Sequence, residues 1–375
     1  MKVSLKKTGK RTTKKSPAKA ISVVDLFCGI GGLSYGLKRE GLHVGAGVDI
    51  DETCKFAYER NTKANFVSES VETLSGDTLR KYYSPNSIKV LAGCAPCQPF
   101  SQYTNHKQKS VDKSTPKDDK WKLLREFMRL VVELQPEIVS MENVPRLKEY
   151  PIYDEFTEAL RVAGYHVQAT TVYCPDYGIP QSRTRLVLLA SKLGEISLVA
   201  KTHEPESYLS VSDVIGDLPP IKAGETSSDD PFHRARSLSP MNMKRIKQSR
   251  AGGTWKDWSD DLILECHKKK SGKTYGSVYG RMSWDASSPT ITTHCCGLGN
   301  GRFGHPEQHR AISLREAALL QTFPKSYVFE PIGGKLTQKV LCRQIGNAVP
   351  VNLGRVIGKS IKHHVRQHRR DSSRG

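Results

Sequence analysis

The sequence predicts an α/β protein: a doubly wound, mostly parallel sheet with helices on both faces, joined to a smaller, mostly β or irregular region. Three observations carry this. Short apolar runs alternate with helix-period segments over residues 21–200, as in doubly wound sheets. The first run empties into a glycine-rich turn, Cys28-Gly29-Ile30-Gly31-Gly32. From residue 201 the periodicity fades into Ser, Pro, Gly and basic residues.

The elements follow in order. Ile21-Ser22-Val23-Val24-Asp25-Leu26-Phe27 is a buried strand, and residues 33–40 form a helix stopped by Gly41. Residues 43–48 are a second strand, tipped by Asp49, Ile50 and Asp51. Residues 88–92 are a third, ending at Gly93-Cys94-Ala95-Pro96-Cys97. An amphipathic helix is expected over 121–134, a strand over 136–141 ending at Glu142-Asn143, and another over 186–190. Clusters such as Lys268-Lys269-Lys270 mark the irregular region, helical spacing returns at 313–321, and 344–350 lead into a last helix. The chain divides into a basic tail (1–20), an α/β domain (21–200), a second domain (201–320), and a return segment with a basic C-terminal tail (321–375).

Composition narrows the function. No stretch approaches the ~18 apolar residues of a membrane span, and the basic N-terminus lacks the apolar region of a secretory signal. The formal net charge is +20. Residues 1–20 hold eight Lys/Arg and no acid, and residues 359–375 hold six Lys/Arg and one Asp. Basic ends on a basic body suit a polyanion, because Lys and Arg release counterions from phosphates. They equally suit solvated, disordered solubility tails. Nine cysteines without an export signal indicate reduced thiols rather than a disulfide framework.

Chemistry concentrates at the strand ends, where doubly wound sheets bind ligands. The glycine turn, with an acid 20 residues after Gly29, has the layout of a nucleoside-cofactor site. The dinucleotide pattern G-x-G-x-x-G fails at Ser34. That weakens a pyrophosphate and favours adenosine without phosphates, of which S-adenosylmethionine (SAM) is the common case. Cys97 lies just past a strand end, where a thiol is an effective nucleophile. Cys94 and Cys97 form a C-x-x-C, but the nearest partner cluster, His294-Cys295-Cys296, is about 200 residues away and wrongly spaced for zinc, so no metal is expected. Glu142 places a carboxyl suited to hold a proton beside the same cleft. Arg183 and Arg185, two apart on a strand, share a face and can reach one ligand. Cys28, Cys54, Cys174, Cys266 and Cys342 read as small core or loop residues.

Six motifs in order converge on a family: Asp25-Leu26-Phe27-Cys28-Gly29-Ile30-Gly31-Gly32, Pro96-Cys97-Gln98, Glu142-Asn143-Val144, Gln181-x-Arg183-x-Arg185, Arg315-Glu316-Ala317-Ala318-x-Leu320-Gln321-x-Phe323-Pro324, and Gln344-x-Gly346-Asn347-Ala348-Val349-Pro350. From residue 21 to about 358 the chain resembles the DNA (cytosine-5)-methyltransferases of bacterial and phage restriction–modification systems. The resemblance implies a SAM-dependent methyltransferase sheet and a target-recognition domain at 201–320.

It also implies roles. Phe27, Gly29 and Gly31 line the SAM pocket, Asp49 binds the ribose hydroxyls, Ile50 packs on the adenine, and Asn347 and Val349 close the site. Glu69, in Ser68-Glu69-Ser70, stands where the family carries a Gly-Asp-Ile segment whose Asp contacts adenine. Cys97 is the nucleophile, Glu142 contacts the cytosine N3 and amino edge, Arg185 its O2, and Arg183 supports the catalytic loop or a phosphate. DNA contacts fall on Gln98, Ser101 and Gln181, and in the recognition region on Arg234, Arg236, Arg245, Arg250, Lys268 and Arg281. The lysine-rich segment 106–122 closes over a flipped base. Ala95 departs from the family's usual Pro. The partners implied are double-stranded DNA and a restriction endonuclease acting separately, for a monomer in the cytoplasm. A tRNA methyltransferase with the same core, and a silent DNA-binding regulator, are the alternatives. Ser34 and the Pro-Cys-Gln turn disfavour a nicotinamide dehydrogenase.

Overall fold

The computed structural model describes residues 19–96 and 119–372. The first half-sheet runs β1 (Ile21–Leu26), α1 (Gly32–Arg39), β2 (His43–Val48), α2 (Lys55–Thr62), β3 (Asn65–Val67), α3 (Gly76–Arg80) and β4 (Ile88–Gly93). Then come α4 (Leu123–Leu134), β5 (Ile138–Asn143), α5 (Pro151–Val162), β6 (His166–Tyr173), the short β7 (Gln181–Ser182) and β8 (Thr184–Ser191).

Seven strands form one sheet in the order β3-β2-β1-β4-β5-β8-β6. The first five are parallel, and β8 is antiparallel to both β5 and β6. The antiparallel end was not anticipated for β6, whose sequence HVQATTVY leaves its residues largely in contact with solvent and blurs the apolar signal. An antiparallel pair needs only a short connection, and residues 174–183 supply it, whereas a parallel neighbour needs a helical crossover.

Local chemistry explains the helices. In α4, Leu124, Phe127, Leu130, Val131 and Leu134 recur at three- and four-residue steps and are all buried. On its outer face Arg129 pairs with Glu126 and Glu133. Gln135, in the left-handed conformation, caps the helix before Pro136. Phe127 meets Phe156 of α5 at 5.5 Å between ring centroids, and each buried ring contributes about 1.5–3 kcal/mol. One apolar cluster unites this face of the sheet with α3, α4 and α5. A second unites the opposite face with α1, α2 and the later helices.

The later elements are α6 (Val211–Ile215), α7 (Pro240–Gln248), α8 (Glu265–Lys268), β9 (Ser288–Pro289), α9 (Leu314–Leu320), α10 (Gln338–Asn347) and α11 (Val351–Asp371). Between 201 and 313, strand structure is limited to β9, paired in parallel with β7, and three isolated bridges. The region is therefore irregular rather than β. It has small cores of its own, one of Trp255, Trp258, Leu262 and Val278, the other of Ile246, Leu298 and Ala311. The expected C-terminal tail is a correction: residues 359–371 continue α11, which buries Ser360, Ile361, His364 and Val365. Its basic residues alternate with apolar ones at helical spacing, so charge alone misread it. Among the described residues no helix is long and apolar enough to cross a membrane.

Candidate active site

The chain runs outward from β1 to β3 and then returns to β4 beside β1, so the strand order reverses between β1 and β4. A crevice forms at the carboxyl ends there. The backbone N–H of Cys94 donates to Leu26 O at 3.3 Å, and that of Cys28 to Val48 O at 3.0 Å. The glycine turn after β1 and the Cys94-Ala95-Pro96 turn after β4 are thus neighbours by topology.

The glycine turn is held in an uncommon shape. Gly29 and Gly31 have φ of +49° and +88°, and Phe27 has +58°. For a residue with a side chain that conformation costs about 1–2 kcal/mol, strain of the kind that collects at functional sites. A Cβ on Gly32 would stand 2.2 Å from Val349 O, so the first turn of α1 lies directly against the segment after α10. Asp49 Oδ2 accepts from Gly29 N at 2.8 Å and its Oδ1 from Asp51 N at 2.9 Å. Burial pushes the Asp49 carboxyl up, and these backbone N–H groups oppose the shift. Ile50, beside it, is 73% exposed, a large apolar side chain left open at the mouth of the site. Asn347 is exposed and Val349 buried, while Glu69 is exposed two residues past β3.

Ser34, which breaks the dinucleotide pattern, has a role inside the fold. Its hydroxyl donates to Asp25 Oδ2 at 2.6 Å and lies 2.9 Å from Tyr58 Oη. Burial pushes the Asp25 carboxyl up to about 7, with the Ser34 bond acting against it.

The second half of the site stands on β5 and β8. Their antiparallel register sets Glu142 opposite Val187, two residues from Arg185. Glu142 is 2% exposed. Its Oε2 accepts from the Cys94 thiol at 2.8 Å, and Arg185 Nε lies 3.1 Å from its Oε1. That ion pair is misaligned as a hydrogen bond, so Oε1 accepts no aligned bond among the described residues. Arg185 Nη1 donates to Thr184 O at 2.7 Å. Asn143 Nδ2 donates to Ala95 O at 3.2 Å and fixes the turn that leads to Cys97. Cys97, Gln98 and Ser101 lie outside the described residues, as does segment 106–118.

Sequence reasoning named Cys94 and Asn143 within motifs but gave neither a role in the site. The only signal was adjacency, each being next to or near a residue already singled out at a strand end.

Several expectations need correction. Arg183 is not on one strand with Arg185: it lies between β7 and β8, is 5% exposed, and donates to Ile291 O at 3.2 Å and Gln181 Oε1 at 3.4 Å. Gln181 is fully buried; its Nε2 donates to Leu320 O and Gln321 Oε1, and its Oε1 accepts from Ile291 N. It joins β7 to α9 and has nothing left for DNA in this conformation. Arg281 is 2% exposed and spends its donors on Ser249 O, His305 O, Gln308 O, Ile246 O and His309 Nδ1, at 2.7–2.8 Å.

The remaining recognition candidates differ in availability. Arg234 pairs with Glu330 at 2.7 Å. Arg245 donates to Leu262 O and lies over the Trp258 ring. Arg236 is half-buried. Lys268 pairs with Glu265 within one helical turn. Arg250 meets Asp257 at 3.3 Å but stays 81% exposed.

A family model for C-5 cytosine-specific DNA methylases matches residues 21–363. The chain is 54% identical over 344 residues to the Type II methylase M.HgiDII of Herpetosiphon aurantiacus, across 91% of this chain and 95% of that protein. It is 31% identical over 348 residues to the Type II methyltransferase M1.HphI of Haemophilus parahaemolyticus, across 91% of this chain and 87% of the relative. Among solved structures, one described as a DNA modification methyltransferase encoded within an E. coli prophage superposes with a TM-score of 0.71 at 23% identity, over 92% of this chain and 100% of that one. That last likeness speaks to the fold.

Proposed function

The chain belongs to the C-5 cytosine-specific DNA methylase family, and from that premise we propose how its residues divide the work. It is a DNA (cytosine-5) methyltransferase, and family and fold imply SAM as methyl donor. The family's reaction runs through a covalent cysteine adduct on a cytosine flipped from the duplex.

The residues around the crevice fit the donor. Asp49 holds the glycine turn and keeps lone pairs for ribose hydroxyls. Ile50 offers an apolar face for a purine, Phe27, Gly29, Gly31, Asn347 and Val349 surround it, and Glu69 stands near the adenine edge. When bound, SAM supplies an electrophilic methyl group.

C5 of cytosine is a weak nucleophile. Addition of the Cys97 thiolate to C6 places electron density on C5, which then accepts the methyl group. Loss of the C5 proton and release of the thiolate restore the aromatic ring. Glu142 holds a proton or hydrogen bond at the N3 and amino edge, and Arg185 stabilises negative charge at O2. Cys94 positions Glu142, and Arg183 and Gln181 hold the catalytic sheet to the region beyond residue 288. The observation that carries this reading is the Cys94–Glu142–Arg185 cluster, built where the carboxyl ends of β4 and β5 meet the start of antiparallel β8.

Residues 21–200 with the return segment from 321 form the catalytic domain, and 201–320 the recognition domain. The reading takes Arg234, Arg236, Arg245, Arg250 and Lys268 toward DNA, with segment 106–122 closing over the flipped base. The relatives' Type II names support a restriction–modification role; on this reading the protein acts as a monomer in a bacterial or phage-infected cytoplasm, beside a separate endonuclease.

The test is incubation with labelled SAM and either unmethylated genomic DNA or tRNA, followed by bisulfite mapping. Label at C5 within a short recurring DNA sequence is the expected result. Label in tRNA alone, or DNA binding without label, overturns the reading. DNA carrying 5-fluorocytosine at the target should trap wild type covalently, and an equal adduct from Cys97→Ala overturns the nucleophile.

A further inference from the structure

Three thiols that stand far apart in sequence meet in the core. Cys295, Cys296 and Cys342 are 0%, 3% and 2% exposed, and their sulfur atoms all lie within 4.8 Å of one another. Cys295 Sγ and Cys296 Sγ are 3.9 Å apart. Along a strand, consecutive side chains point to opposite faces. Here residues 292–297 form a tight turn, with Cys295 N bonded to Thr292 O and Gly297 N to His294 O, so both thiols turn inward. Cys342 comes from the buried side of α10.

We propose that Cys295, Cys296 and Cys342 form a binding site for a soft trivalent ion of the arsenite type, and that filling it clamps α10 to the 292–297 turn.

Ligand softness, coordination number and charge select the occupant. Three sulfurs and no hard donor favour a thiophilic ion. Zinc closes its structural sites with four ligands, and the neighbouring His294 faces solvent. Three thiolates around a trivalent ion make a neutral complex, which avoids the cost of a buried net charge. The reaction balances: each S–H gives its proton to one hydroxyl of arsenous acid, three As–S bonds replace three As–O bonds, three waters leave, and no oxidation state changes.

The consequence for the enzyme follows from what α10 touches, and this part rests on the cofactor reading above. A Cβ on Gly346 would stand 2.1 Å from Thr292 C, so turn and helix are already pressed together. Arg343 pairs with Asp51 at 2.7 Å and Gln344 donates to Thr53 at 2.9 Å, which ties α10 to the loop after β2. Asn347 and Val349 follow directly. Fixing Cys342 to the turn restrains the elements that close on the cofactor.

The experiment titrates reduced full-length protein with sodium arsenite, reading bound arsenic by intact mass and free thiols by a chromogenic disulfide. One arsenic per chain with loss of three thiols is expected. Affinity should fall at least tenfold in Cys342→Ser and separately in Cys296→Ala, each checked for folding by circular dichroism, and should persist in Cys266→Ala, an exposed cysteine elsewhere. No arsenic on wild type, equal affinity in both folded variants, or tighter binding of zinc than of arsenite overturns the site. SAM affinity measured with and without arsenite tests the clamp, and an unchanged value overturns it while leaving the site standing. Failure to bind SAM even without arsenite counts against the cofactor reading instead.

Discussion

Arginine behaves differently in the two halves of this molecule. Arg185, at a strand end of the sheet, has one contact to Glu142 and one to a backbone carbonyl, and its Nη2 has no partner among the described residues. Arg281, in the irregular region, is buried with every guanidinium nitrogen bonded to carbonyls or a histidine ring. Arg310 is likewise buried, forked against Glu316 at 2.7 Å on each arm. A sheet has a backbone ladder to hold it together, so its end residues remain free for chemistry. A region almost without ladders uses charged side chains to gather its own loose carbonyls. An arginine's spare donors, rather than its charge, decide whether it serves ligand or fold.

That contrast can be broken by mutation. Glu142→Gln keeps the shape of the sheet-end cluster and should lower kcat ~10²–10⁴-fold while leaving the melting temperature and DNA affinity near wild type. A matching loss of stability would mean that the cluster is structural. Arg281→Ala should do the opposite, costing more than about 3 kcal/mol in denaturant titration because several buried carbonyls lose their partners together. A variant as stable as wild type but weak in DNA binding would return Arg281 to the DNA readers. Glu316→Ala should cost about 3–5 kcal/mol, since it strands Arg310 as an unpaired buried charge.

Smaller effects refine the picture. Arg250→Ala should leave stability unchanged and reduce the salt slope of DNA binding by about one. A slope identical to wild type would remove Arg250 from the phosphate contacts.

The irregular region should also carry a pH dependence. Burial pushes His305 down from 6.5 to about 4, with Arg310 and Arg281 adding to the shift and Glu316 opposing it. The unfolded chain therefore binds a proton that the folded one refuses. Stability from this group is complete above 6.5 and drains as pH falls toward 4, at about 1.4 kcal/mol per pH unit. His305→Asn should flatten the stability profile in that window, and an unaltered slope would assign the loss to other groups.

The sheet was legible because its signals are local. Apolar runs bounded by turn residues located β1, β2, β4, β5 and β8 within a few residues, and helical spacing at 313–321 located α9, which the structure shows to open on a Ser313–Glu316 capping box. β6 escaped because a strand with polar residues in contact with solvent shows no apolar run. The glycine turn, Asp49, Glu142 and Arg185 stood at strand ends where sequence placed them. Gln181 is spent on the interior, because a Gln beside a catalytic motif reads the same whether it faces a ligand or an interior carbonyl, and the loop that Arg183 was expected to support lies outside the described residues.

Periodicity, turn chemistry and ordered motifs are properties of near neighbours along the chain, and they alone determined the α/β class, the order of the parallel strands' residues and the family. Partners distant in sequence were decided only in the tertiary structure. Ser34 meeting Asp25, Cys94 meeting Glu142, and Cys342 meeting Cys295 and Cys296 each depend on how separate elements pack. Which donors are spent and which remain is a matter of burial and distance in three dimensions, and no linear spacing encodes it.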